Sequence, residues 1–331
     1  MLRHPGLQPP GDRTRELTPP PMPMSTETPP LPASRFRGLS VAMVTPFDPQ
    51  GAIDEQALRA HVDRLVEGGV SVLMPCGTTG EGVTLSPEEH GRVVGIVVDA
   101  AGGRVPVVAG AGSSSTRAAA DLARRSVSAG ADGLLCVTPA YNRPSRTGLR
   151  DHFLHLADAA GGRPIVLYNV PGRTAVELDA DTILELAGDP RFVGVKEASG
   201  GLDLVNTVLA SRPEGFLVLA GDDELALPVL ALGGDGVVSV AANEAPAPMA
   251  ALVDAGLHGR LDEARTLHRR LLPIMRANFV ESNPGPVKEA CHILGWMEPV
   301  LRPPLARLEP ASAARLRAAM EASGLLSGDD G

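Results

Sequence analysis

Between residues 38 and 240 the chain alternates two textures. Short apolar, β-branched runs occur at Ser40–Thr45, Val70–Pro75, Val105–Ala109, Gly133–Val137, Pro164–Asn169, Phe192–Glu197, Phe216–Ala220 and Gly236–Val240. They are nearly continuous, which suits strands covered on both faces, as in parallel sheets; a strand with one wet face would alternate. Between them lie stretches with helical period, such as Asp54–Glu67, Pro87–Ala101, Thr116–Ala129, Gly148–Ala160 and Leu225–Leu232. The joints recur as well. Gly68-Gly69, Gly130-Ala131-Asp132-Gly133 and Gly233-Gly234-Asp235-Gly236 each end a helix with glycine and lead straight into a strand. Eight such units predict an α/β fold of the (β/α)8 TIM-barrel class over residues 36–259. A doubly wound open sheet is the competitor, but it closes with about five to seven strands and would leave units over.

Two segments fall outside this alternation. Residues 260–331 read as helices at Arg260–Ala277, Pro286–Gly295 and Pro310–Ser323, a C-terminal helical extension packed on the barrel. Residues 1–35 carry Pro19-Pro20-Pro21, Pro23, Pro29-Pro30 and Pro32 with almost no apolar periodicity, and are expected to be a disordered tail. That tail has no continuous apolar stretch of the kind a signal peptide needs, and Met24 would serve as an alternative start.

Charge and composition narrow the function classes. With 30 basic against 39 acidic residues the formal charge is −9, and no Lys/Arg block interrupts it, so nucleic acid is a poor partner. No apolar run approaches the roughly 20 residues needed to cross a bilayer. Cys76, Cys136 and Cys291 are too few and too scattered for a disulfide framework or a zinc site. A cytoplasmic, globular protein is expected. Lysine, however, occurs only at Lys196 and Lys288, so 28 of the 30 basic residues are arginine. Arginine serves nearly every surface role of lysine but cannot act as an amine nucleophile. A lysine retained in such a chain invites a chemical explanation.

In a (β/α)8 barrel the chemistry sits at the C-terminal ends of the strands. There the second strand gives Gly77-Thr78-Thr79-Gly80-Glu81, the fourth Thr138-Pro139-Ala140-Tyr141-Asn142, and the fifth Tyr168-Asn169-Val170-Pro171-Gly172-Arg173-Thr174. The sixth ends in Lys196-Glu197-Ala198-Ser199 and the seventh in Gly221-Asp222-Asp223. Both tyrosines of the chain and one of its two lysines thus converge on one rim. Lys196 follows Val193-Gly194-Val195 on a strand buried on both sides, where desolvation favours the neutral amine that attacks a carbonyl to form a Schiff base. The competing role is an ion pair with Glu197 or Asp222. Tyr168 and Tyr141 are candidate proton carriers, or ordinary packed aromatics. Gly77-Thr78-Thr79-Gly80 offers hydroxyls and unhindered N–H groups for a carboxylate, and Arg173 can clamp one bidentately. Gly110-Ala111-Gly112 lacks the third glycine of a dinucleotide loop, and the histidines form no metal pattern.

These residues resemble the dihydrodipicolinate synthase family of the class I pyruvate-aldolase superfamily, which also includes N-acetylneuraminate lyase. The likeness runs from about Gly38 to the C-terminus. It rests on the strand-end segments above, on Arg143-Pro144-Ser145 after Asn142, and on Asn283-Pro284-Gly285-Pro286-Val287-Lys288. It implies condensation of pyruvate with L-aspartate 4-semialdehyde on the route to diaminopimelate and lysine. Lys196 would form the imine; Thr78, Tyr168 and Tyr141 would relay protons, Tyr141 entering a neighbouring subunit's site. Thr79 and the backbone at Val238 would hold pyruvate, Gly221 would contact substrate, and Arg173 would meet the semialdehyde carboxylate. The resemblance implies no metal or organic cofactor and a homotetramer built from tight dimers. The alternative is a sister aldolase or dehydratase acting on a sugar acid or another aldehyde. The chain departs from the family at the lysine-feedback site, where it has Gly82, Val83, Pro87, Ser114, Ala118 and Ala140, with only His90 retained. That places lysine inhibition in doubt.

Overall fold

The computed structural model describes residues 31–326. Eight parallel strands run in the order β1 (Gly38–Ala42), β2 (Val72–Met74), β3 (Val108–Gly110), β4 (Gly133–Val137), β5 (Ile165–Asn169), β6 (Phe192–Glu197), β7 (Leu217–Ala220) and β8 (Gly236–Ser239). Each pairs with its sequence neighbour, β8 returns to β1, and a parallel bridge between Leu73 and Val107 joins β2 to the start of β3. The barrel is therefore closed, as the run of eight apolar segments predicts.

The helices alternate with the strands: α1 (Glu55–Glu67), α2 (Pro87–Ala101), α3 (Thr116–Ser128), α4 (Arg146–Ala159), the single turn α5 (Pro171–Thr174), α6 (Ala180–Ala187), α7 (Asp203–Ser211), α8 (Ala226–Ala231) and α9 (Pro246–Leu257). Their starts have local causes. Asp54 caps α1 by accepting from the Ala57 N–H, and Ser86 with Glu89 forms a reciprocal capping box on α2. Gly69, Gly130 and Gly233 adopt positive φ of 85°, 96° and 95°, the backbone that turns each helix back into the next strand.

Two layers of apolar side chains result. Ala42, Val72, Met74, Val108, Leu135, Val166, Leu217, Leu219 and Val238 fill the barrel, and a larger shell packs between strands and helices. The C-terminal helices α10 (Leu261–Ala277), α11 (Gly285–Ile293) and α12 (Pro310–Ala322) share that shell through Leu271, Ile274, Ala290 and Leu316, as expected of an extension on the barrel. At the other end Ala33–Phe36 form a turn, and Phe36 is buried in the barrel interior. These residues belong with the barrel, not with the expected tail to residue 35; the remainder of that tail, 1–30, lies outside the described residues. No helix among the described residues is long and apolar enough to cross a membrane.

Closure of the barrel depends on backbone proximity between β8 and β1. A Cβ at Gly236 would lie 2.1 Å from the carbonyl oxygen of Gly38, its register partner, and no flexible side chain is there to yield. Gly236→Ala should therefore cost on the order of 3 kcal/mol or more in urea unfolding. Gly91→Ala, inside α2 with nothing within 4 Å, should instead stabilise by roughly 0.5–1 kcal/mol. Equal midpoints for the two variants would contradict this account of closure.

Candidate active site

The strand ends gather the predicted residues at one mouth. Tyr168 on β5 is the register partner of Lys196 on β6, and Lys196 is in turn level with Leu219 on β7, a residue of the barrel interior. Lys196 is 5% exposed, and its Nζ stands 4.2 Å from the centroid of the Tyr168 ring. Among the described residues no carboxylate comes within ion-pair distance of that Nζ. Glu197, the first candidate partner, points elsewhere: its oxygens accept from the Ser199 N–H at 2.5 Å and from Asn169 Nδ2 at 2.8 Å. Asp222 stands near enough for the charges of Lys196 and Arg173 to lower its pKa, but burial outweighs them and holds its carboxyl above the ordinary range. The ion-pair alternative for Lys196 is thus not realised.

Tyr168, though not Lys196, lines a cavity of about 340 Å³ whose walls also include Thr78, Arg173, Thr174 and Asn283. Thr79 is buried just behind Thr78, and its Oγ1 accepts from Asn283 Nδ2 at 2.9 Å. Val238 lies fully buried inside the barrel on β8. Gly221 closes β7 against β6: its N–H donates to the Glu197 carbonyl at 2.6 Å, and a Cβ there would meet Ala198 at 2.5 Å. Its carbonyl, not its N–H, is what remains for a substrate. Arg173 is exposed on α5 at the cavity mouth and makes no ion pair among the described residues. Tyr141 does not join the others within the chain. It is 90% exposed at φ +75°, a backbone conformation uncommon for a residue with a side chain.

His90 and two cysteines are accounted for structurally. His90 is buried, its Nε2 within 2.7 Å of the Gly110 carbonyl, and burial lowers its pKa. Burial raises the Cys76 thiol and pushes Cys136 up to about 12, so both stay protonated and inert.

The second lysine was not anticipated in its role. Lys288 is fully buried on α11 and donates to Glu81 Oε1 at 2.5 Å and to the Val300 carbonyl at 2.7 Å, with its Nζ 4.2 Å from the centre of the Phe47 ring. Glu81 Oε2 accepts the Arg302 N–H at 2.9 Å. Burial brings Lys288 down to about 8, with the Glu81 carboxylate opposing the shift. Glu81 itself sits at φ +53° at the end of the Thr78-Thr79 loop. Arg302 continues the network to both oxygens of Glu89, whose carboxyl it pulls down to about 2. One sign of this was present in the sequence: Lys288 shares a short helical stretch with the apolar Val287, Ala290 and Cys291.

A closed parallel barrel whose sixth strand ends in a buried, unpaired lysine against a tyrosine has the architecture of the aldolase-type lyases. Comparison with known proteins gives the branch. The profile of the Dihydrodipicolinate synthetase family matches residues 35–323, and the chain belongs to that family. It is 49% identical over 283 residues to the 4-hydroxy-tetrahydrodipicolinate synthase of Salinibacter ruber, covering 85% of this chain and 93% of that one. To the enzyme of the same name from Methanothrix thermoacetophila it is 48% identical, covering 89% and 99%. Among solved structures, dihydrodipicolinate synthase from Aquifex aeolicus superposes with a TM-score of 0.85 at 39% identity, covering 89% of this chain and all of that one.

The two lysines should answer oppositely to the same substitution. Lys288→Met leaves Glu81 buried without its counter-ion and should cost about 3–5 kcal/mol in chemical unfolding. Lys196→Met removes a buried amine with no ionic partner and should leave stability within about 1 kcal/mol of wild type, or raise it. A tolerated Lys288→Met would remove the ion pair from its structural role.

Proposed function

We propose that this protein condenses pyruvate with L-aspartate 4-semialdehyde to 4-hydroxy-tetrahydrodipicolinate, the step committing aspartate semialdehyde to diaminopimelate and lysine, and that it does so in the cytoplasm. The observation that carries the reading is Lys196, buried against Tyr168 at a strand end and in no ion pair among the described residues. Held over the Tyr168 ring and in no ion pair among the described residues, the Lys196 Nζ is placed to add to a carbonyl at the strand end.

The chemistry assigns roles in order. The Lys196 amine adds to C2 of pyruvate, water leaves, and an imine forms. Loss of a C3 proton gives the enamine, whose C3 attacks the aldehyde carbon of the semialdehyde. The semialdehyde's own amine then displaces Lys196 from C2, which frees the enzyme and closes the ring. Tyr168, Thr78 and Tyr141 move the protons; Thr79 and the backbone at Val238 hold pyruvate; Gly221 offers its carbonyl; Arg173 takes the semialdehyde carboxylate. Arg173 favours a small charged aldehyde over a polyhydroxylated sugar acid, since an unpaired guanidinium at the mouth suits a carboxylate.

Tyr141 extends the proposal to assembly. An aromatic ring 90% exposed on a left-handed backbone is poorly explained by the monomer. We assign it to the active site of a second copy, within a tight dimer and a homotetramer of two such dimers.

Borohydride reduction in the presence of pyruvate tests the mechanism directly. The adduct should map to the peptide carrying Lys196 and be absent from that carrying Lys288; an adduct on Lys288, or none, removes the imine. Tyr141→Phe should lower kcat about 10²-fold or more while the imine still forms. Mixing inactive Tyr141→Phe and Lys196→Ala subunits should restore activity, because one site of each hybrid dimer holds both native residues. Verified hybrids without activity would put Tyr141 outside the neighbour's site.

A further inference from the structure

Thr79 is 2% exposed, and among the described residues the one hydrogen bond of its hydroxyl is the 2.9 Å contact in which Asn283 Nδ2 donates to Oγ1. A threonine hydroxyl is ambivalent: it has one hydrogen to give and lone pairs to receive with. A carboxylate is an acceptor only. For Thr79 to hold the carboxylate of a keto acid, its hydrogen must be kept for that ligand, and a neighbour that donates to its oxygen does this. Asn283 lines the cavity beside Thr78 and Tyr168 and is 5% exposed, and among the described residues its buried Oδ1 has no partner. Turned over, the amide would take the Thr79 proton onto Oδ1 and present the ligand with lone pairs. The residue is also held in place: it lies two residues before α11, which the Lys288–Glu81 pair fastens to the end of the Thr78-Thr79 loop.

We propose that Asn283 is a positioning residue for pyruvate, fixing the Thr79 hydroxyl as a donor toward the substrate carboxylate. The inference rests on the reading of Thr79 as the pyruvate-holding residue and adds the group that sets its polarity, from 204 residues further along the chain.

The test compares Michaelis constants for both substrates, and the pyruvate concentration giving half-maximal borohydride trapping, in wild type, Asn283→Asp, Asn283→Leu and Asn283→Ala. Asn283→Asp keeps the side-chain shape but accepts the Thr79 proton and adds like charge, so both pyruvate constants should rise at least about tenfold. The semialdehyde constant should move less than about twofold, a split that a general loosening of the fold would not produce. As pH falls and the introduced acid protonates, it regains a donor, and the variant-to-wild-type ratio for pyruvate should shrink. Asn283→Leu and Asn283→Ala leave the hydroxyl to turn among three staggered wells, so pyruvate constants should rise about threefold. If Asn283→Asp does not fold, that pyruvate-selective rise in the other two carries the test. An Asp variant no worse than the Ala variant, or variants in which pyruvate constants are unmoved or both substrates weaken equally, overturn the role of Asn283. A wild-type enzyme that traps no pyruvate overturns instead the reading of the site beneath it.

Discussion

The Thr78-Thr79 loop leaves β2 through two non-glycine residues at positive φ, Cys76 at 59° and Glu81 at 53°. Such conformations persist only where the surroundings over-determine them. Here the surroundings are the buried ion pair of Glu81 with Lys288, backed by the Arg302 N–H and the Phe47 ring. Each ion out of water costs several kcal/mol, and mutual attraction offsets that cost only when both partners are in place. The pair therefore adds little net stability over apolar side chains of the same size, but it strongly penalises any arrangement in which loop and helix part. The C-terminal extension is thereby made part of the catalytic end of the barrel.

The two lysines show how one side chain is given opposite characters by its surroundings. Both are at least nine-tenths buried, so burial alone does not separate a lysine free of ion pairs among the described residues from one held in an ion pair. Partners do. Lys288 has a carboxylate, a carbonyl and an aromatic face arranged around its ammonium, whereas among the described residues Lys196 has the face of Tyr168 and no ion pair, the neighbouring carboxylate of Glu197 being taken by Asn169 and Ser199.

The barrel was legible because its signal is repetitive. Eight continuous apolar runs, separated by helical stretches that in several cases end in a glycine joint, leave few other ways to bury so much two-sided strand. The strand-end residues were legible for the same reason, since the topology sends every strand's C-terminus to one mouth. Interactions between distant segments were not. Asn283 and Lys288 stood in a recognisable motif, but nothing local says that the first meets Thr79 or the second Glu81. Boundaries shifted where neighbours decide them: β3 begins at Val108, later than the run from Val105, because Val107 makes an isolated bridge to Leu73 and gives its N–H to the Asp132 side chain. Short turns such as α5, four residues long, carry too little periodicity to be read.

The separation between Thr79 and its partner has a temporal side. The ribosome delivers the chain from its N-terminus, and the barrel strands from β1 to β8 are complete by Ser239. Asn283, Lys288 and Arg302 emerge afterwards, so a nascent barrel with all eight strands already paired still has a Thr78-Thr79 loop with its strained backbone unclamped. Contacts of such long range form late on topological grounds as well. The setting of the Thr78-Thr79 loop is thus coupled to completion of synthesis, and a chain cut short after its last strand would have the look of a finished barrel with that loop unset.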